Sequence, residues 1–180
     1  NTGTEAATGL EFSDDIDVNT TLVENSLQTS PIATNDNYSS LGNVGIVVPA
    51  LNGILANDYM GTNPAAALTA VVDAATTGGG TISIAADGSF SYTPAAGFTG
   101  DDTYQYSLSN TAGSDNGTIT ITVANITWFI NNNYAGAVAD GRLSTPFKSI
   151  SDFQAVNDGA GLHPGDNHII FVYESATSYT

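Results

Sequence analysis

Carboxylates are the side chains of this chain best placed to do chemistry, because little else is available. The 180 residues carry 18 Asp and Glu against two basic side chains, Arg142 and Lys148, for a formal net charge of −16. With so few cations to pair with, most carboxylates must face water or bind metal, and their hard oxygens suit a divalent ion such as calcium. The densest group, Asp14, Asp15 and Asp17, lacks the spacing, central Gly and final Glu of an EF-hand loop and reads as a solvated turn. His163 and His168 flank Pro164-Gly165-Asp166 with neither a His-Glu-x-x-His pattern nor a usual zinc spacing. They read as a loop residue and a strand-start residue. Ser and Asp are plentiful, but no Gly-x-Ser-x-Gly elbow organises them into a nucleophilic triad. The chain has no cysteine, which excludes disulfides, thiolate ligands and thiol catalysis. The residue inventory therefore predicts a protein that is not an enzyme.

The same charge balance bounds the partners. A chain this acidic repels phosphate backbones and anionic lipid surfaces, so nucleic acid and membrane insertion are not expected. No apolar run reaches the roughly 18 residues of a spanning helix, and Asn1-Thr2-Gly3-Thr4 has neither the basic nor the apolar region of a signal peptide. If the protein is secreted, its signal has been removed or lies upstream. Only Arg142 and Lys148 offer trypsin-like cleavage sites, which suits an exposed extracellular chain. Four Asn-x-Ser/Thr sequons, at Asn19, Asn37, Asn116 and Asn125, are what an Asn- and Thr-rich chain produces by chance.

These residues must be positioned by β-structure. Hydrophobic residues make up 41% of the chain, ample for a core, and short alternating runs are separated by Gly, Asn and Asp turns. Strands are predicted near 36–40, 44–49, 67–73, 80–85, 88–93, 102–109 and 116–124. Ala86-Asp87-Gly88 is a tight hairpin signal. Ser89-Phe90-Ser91-Tyr92 and Tyr104-Gln105-Tyr106 place their aromatics on one face, the core side. Gly78-Gly79-Gly80 is a turn, since no helix pattern and no Lys follow it as in a phosphate loop. The pattern predicts an all-β fold, a β-sandwich over residues 31–124.

Five motifs occur in order. They are Pro31-Ile32-Ala33-Thr34-Asn35-Asp36, Leu55-Ala56-Asn57-Asp58, Ala86-Asp87-Gly88-Ser89-Phe90-Ser91-Tyr92-Thr93-Pro94, Gly97-Phe98-Thr99-Gly100-Asp101-Asp102-Thr103-Tyr104-Gln105-Tyr106, and the alternating Thr118-Ile119-Thr120-Ile121-Thr122-Val123. Residues 31–123 thereby resemble the cadherin-like and immunoglobulin-like repeats strung through large bacterial surface proteins. The resemblance implies an extracellular spacer, adhesive unit or fibre component. It also implies calcium, held by acidic turns at the module ends, and the comparable positions are Asp36, Asn57, Asp58, Asp87, Asp101 and Asp102. Tyr59-Met60-Gly61 stands where related repeats often carry a further Asp. Each of the six also suits a turn-capping role through side-chain bonds to backbone amides.

The flanks read as pieces. Residues 1–30 hold strand-like runs at 10–13 and 20–23, and Gly9 to Ser26 resembles the closing strands of another bacterial surface repeat, with Asp15-Ile16-Asp17 departing from it. After Val123, Ile126 to Asn132 reads as a strand. Phe147, Ile150, Phe153 and Val156 recur at helical spacing behind Pro146, and Asn167 to Tyr173 reads as a buried strand. Residues 125–180 resemble the N-terminal cap of a right-handed parallel β-helix, with one short helix. Two strands make no stable sandwich alone and a solenoid needs several rungs. Either the chain is a segment of a longer surface protein, or subunits complete one another by strand addition. The expected partners are neighbouring β-modules, identical subunits or surface glycans. The expected function is structural or adhesive. The alternative is a carbohydrate-binding or carbohydrate-active β-helix protein, which requires Trp128, Tyr134 and Tyr173 exposed on one platform.

Overall fold

The computed structural model describes residues 27–156, 164–165 and 167–179. The expected strands at 10–13 and 20–23, the Asp14, Asp15 and Asp17 turn, the sequon at Asn19 and His163 lie outside these residues.

Eight strands build the sandwich: β1 (Asp36–Leu41), β2 (Ile46–Val48), β3 (Ala67–Leu68), β4 (Val71–Ala75), β5 (Thr81–Ile84), β6 (Phe90–Thr93), β7 (Gly100–Asn110) and β8 (Gly113–Ala124). They form two four-stranded sheets, ordered β1-β8-β7-β3 and β2-β6-β5-β4. β1 runs parallel to β8, Asp36 opposite Ile119 and Leu41 opposite Ala124. Every other pairing in the two sheets is antiparallel. The period-2 pattern does the sorting. In β8, Ile119, Ile121 and Val123 are buried while the intervening threonines face outward. Tyr92, Phe90, Ile82, Ile84, Tyr106, Leu108 and Leu68 close the same core.

The predicted hairpin forms between β5 and β6, with Gly88 at φ +82, a backbone region that a side chain rarely adopts. A Cβ there would also come within 2.7 Å of the Leu55 side chain. Where one strand was expected over 67–73, there are two, in different sheets. β3 pairs with β7, the chain crosses at Thr69-Ala70, and β4 pairs with β5 through a bulge between Val71 and Ala74. Leu68 faces the core from the first sheet and Val71 from the second, so the apolar alternation runs on across the change of layer.

A second unit follows at once. β9 (Thr127–Ile130) lies between Phe147, which bridges Ile130 in parallel, and β10 (Ile169–Val172), also parallel, with Ile170 opposite Trp128 and Val172 opposite Ile130. Ile126, Trp128, Ile130 and Phe147 form its core, with Phe153, Val156 and Tyr179 packed against it. The Trp128 and Phe147 rings stack at 6.0 Å. The helix α1 is shorter than its spacing predicts, Ile150–Ala155. Phe147 is unavailable to it, because its N–H donates to the Phe129 carbonyl and its own carbonyl accepts from Asn131. Ser149 takes the cap, its hydroxyl accepting from the Asp152 N–H at 2.9 Å. Lys148 therefore precedes the helix and is half-buried.

β10 corrects the expectation of a buried strand. Ile169, Ile170, Phe171 and Val172 are 58, 46, 48 and 45% exposed. The strand is apolar because it continues the β9 core row, but among the described residues nothing lies on its far edge.

Candidate functional site

Asp36 opens β1 at one end of the sandwich, and the turn after Leu55 brings Asn57 and Asp58 beside it. Asp58 accepts from the Thr34 N–H at 2.7 Å, and the Tyr106 hydroxyl lies 3.0 and 2.9 Å from its two oxygens. The same hydroxyl is 3.0 Å from the Thr34 carbonyl. Asn57 is tied down through its backbone carbonyl, which accepts from Thr34 Oγ1, and through Nδ2, which donates to the Asn35 carbonyl. Asp36 is 7% exposed, and its Oδ2 is buried with no hydrogen-bond partner. Burial, then the Asp58 charge, push the Asp36 carboxyl up to about 6. Burial also raises Asp58, helped by Asp115. Asp115 itself is occupied, accepting from the Ala33 and Asn116 amides. A buried carboxylate beside a half-buried one, neither in an ion pair among the described residues, forms a site that favours a proton or a metal ion.

Asp102 is the opposite case. It is fully buried, yet it accepts from Thr76 Oγ1 at 2.5 Å, the Gly78 N–H at 2.6 Å, the Tyr92 hydroxyl at 2.8 Å and Thr77 Oγ1 at 3.3 Å. Burial pushes its carboxyl up, but these donors outweigh it and hold it below the usual carboxylate range. It fastens the 76–80 turn to the core, and Gly80 permits the approach, since a Cβ there would lie 2.7 Å from Asp102 Oδ2. Asp87 closes its hairpin by accepting from the Ser89 N–H and hydroxyl. Asp101 accepts from Thr122 Oγ1 on the outer face of the sheet.

Of the six residues suggested by the sequence, the fold thus gathers Asp36, Asn57 and Asp58. It leaves Asp87, Asp101 and Asp102 in three separate turn or sheet roles. Among the described residues no group of three or more His, Cys, Asp or Glu converges as a metal cluster. Tyr106, whose hydroxyl completes the acidic pair, was legible only as a core aromatic. Alternation reports the face a ring occupies and not what its hydroxyl reaches.

The junction of the two units is equally built. Asn43, at φ +68 and 1% exposed, accepts from the Gly97 N–H through Oδ1 at 2.8 Å and from the Leu143 N–H through its carbonyl at 2.9 Å. Gly42 donates to the Ala124 carbonyl and accepts from the Thr127 N–H, and a Cβ on it would meet Ile126. Arg142 pairs with Asp140 at 2.7 Å and reaches the Pro94 carbonyl. That carbonyl lies in the sandwich. His168 Nδ1 accepts from Trp128 Nε1 and the Gly165 N–H, so this nitrogen is not presented to a metal. Trp128 is 1% exposed, and a sugar platform built on it with Tyr134 and Tyr173 does not form.

Two packed four-stranded sheets whose first and last strands run parallel define an immunoglobulin-like β-sandwich module. A family profile, the bacterial cadherin-like domain, matches residues 28–125, more than half of the chain, and the chain belongs to that family. No curated protein matches the chain. Domains of this family are generally non-enzymatic, extracellular, adhesion-type modules, and they commonly bind calcium. Among the described residues, no helix is long and apolar enough to cross a membrane.

Proposed function

We propose that the chain is a structural, adhesion-type module of a bacterial surface protein, in which the sandwich holds the β9–β10 unit rigidly and presents its open strand to a neighbouring copy. We read that unit as the first layer of a parallel β-stack. The turn after β10 already lies on the turn after β9, with Asn132 Nδ2 donating to the Thr177 carbonyl and hydroxyl. The observation that carries the proposal is the junction: the Leu143 and Thr127 amides donate to the Asn43 and Gly42 carbonyls and Arg142 reaches the Pro94 carbonyl, so that several bonds cross between the two units. Calorimetry with Trp128 fluorescence tests it. The intact chain is expected to melt in one transition that both signals share. Gly42→Ala, whose Cβ would lie 2.5 Å from Ile126 Cγ1 across the junction, is expected to let the Trp128 signal melt first. Two separate transitions in the unaltered chain would contradict the reading.

Calcium belongs to the same proposal. Asp36 and Asp58 fit it in kind, with hard oxygens and one buried oxygen left unpartnered. Two carboxylates fall short of the roughly six to eight oxygens calcium takes, so backbone carbonyls and water would complete the shell. An ion bound at 100 times its dissociation constant stabilises by about 2.7 kcal/mol. Millimolar calcium is therefore expected to raise the melting midpoint by several degrees and a chelator to reverse it. An unchanged midpoint would remove calcium from the account.

A further inference from the structure

We infer that β10 is a self-complementary docking edge, on which a second copy of this chain pairs its own β10 antiparallel about a two-fold axis at Phe171. This rests on the associating reading above and names its contact. The Ile169 and Tyr173 amides donate to the Ile126 and Ile130 carbonyls. In a parallel ladder, alternate residues face the same neighbour, so the amides of Ile170 and Val172 point away from β9. Centring the axis at Phe171 sets Ile170 opposite Val172 of the second copy, so the outward groups of both pairs meet each other. The side chains agree. Ile170 and Val172 lie on the Trp128 and Ile130 face, and a two-fold axis perpendicular to the sheet keeps that face common to both copies. The two half-open cores would then close on each other. Phe171, 5.9 Å from Phe129 on the opposite face, would meet its own copy.

Charge selects this partner and this direction. A chain at −16 repels another copy in general. The contact segment Ile169 to Tyr173, however, carries no charge, and the antiparallel register puts His168 opposite Glu174 of the second copy. His168 accepts at Nδ1 from Trp128 and Gly165, which leaves Nε2 as its donor for that carboxylate. Parallel pairing of two copies in register would instead set Glu174 beside Glu174. Because the contact is isologous, it closes at two copies, and a filament would need a second, different interface.

Sedimentation equilibrium of the full chain tests the inference. The chain is expected to dimerise. Ile170→Pro and Val172→Pro each delete an outward N–H and spare those bonded to β9, and each is expected to weaken dimerisation at least about tenfold. The fluorescence of Trp128, the only tryptophan, reports whether the cap remains folded in these variants. Glu174→Lys, outside the strand, is expected to weaken dimerisation several-fold, and it decides the matter should both proline variants unfold the cap. A dimer indifferent to all three substitutions overturns the β10 contact and leaves association standing. A chain that stays monomeric overturns both, and slow exchange of the Ile170 and Val172 amides in such a monomer would show that another segment of the same chain covers the edge.

Discussion

Asp36 and Asp102 are both buried aspartates whose surroundings drive them in opposite directions. Asp102 is met by four donors and stays ionised. Its contribution to stability is present above the unfolded carboxylate range and is lost only as pH falls through its depressed folded value. Asp36 has an orphan oxygen and an acidic neighbour, so its folded value near 6 lies above the unfolded 3.8. Its contribution is complete below the unfolded value and is lost as pH rises through 6. Without calcium, the chain should lose about 1–2 kcal/mol between pH 4.5 and 7.5 from this group, after discounting for solvent screening. Asp36→Asn is expected to flatten that slope in pH-dependent melts; an unaltered slope would place the titration elsewhere. Saturating calcium should oppose it, since the ion favours the carboxylate and a proton competes for it. The turn roles of Asp87 and Asp102 were half legible, because Asp before Gly or in a polar turn implies a cap. Their partners were not, since Thr76 and Tyr92 reach Asp102 from distant parts of the chain.

At the scale of elements, the alternating strands were legible wherever one face is buried and the other wet. β5 to β8 lie within two or three residues of their expected bounds because Gly88 and the Thr/Ile alternation leave little choice. The misreadings share one cause, a tertiary contact that leaves no periodic mark. The β3–β4 crossing lacks a Gly or Pro to punctuate it. Pro146 and Phe147 look like the start of a helix, but pairing with β9 takes the Phe147 backbone. Ile169 to Val172 look like an interior strand because their composition suits one. Composition cannot say whether the neighbour that would bury them belongs to the same chain. The seam was also invisible: Asn43 is an ordinary turn residue until Gly97 and Leu143 are brought to it.

For the whole molecule, the sandwich closes its core within itself, whereas the unit attached to it leaves one strand edge without a partner among the described residues. The sandwich core is closed by both sheets, and its charged groups are mostly engaged in turns. β10 presents four apolar side chains and, among the described residues, an edge with no further strand paired to it, the arrangement most prone to recruit another strand. On the reading proposed above, this acidic module acts through that edge and not through a pocket. Amide hydrogen exchange at Ile170 and Val172, followed as protein concentration is raised from about 1 to 100 micromolar across the range of a moderate dimer, tests this most directly. The expected result is protection that grows with concentration at these two amides, while those of Ile169 and Phe171, already bonded to β9, change less. Fast exchange at Ile170 and Val172 at every concentration would contradict it.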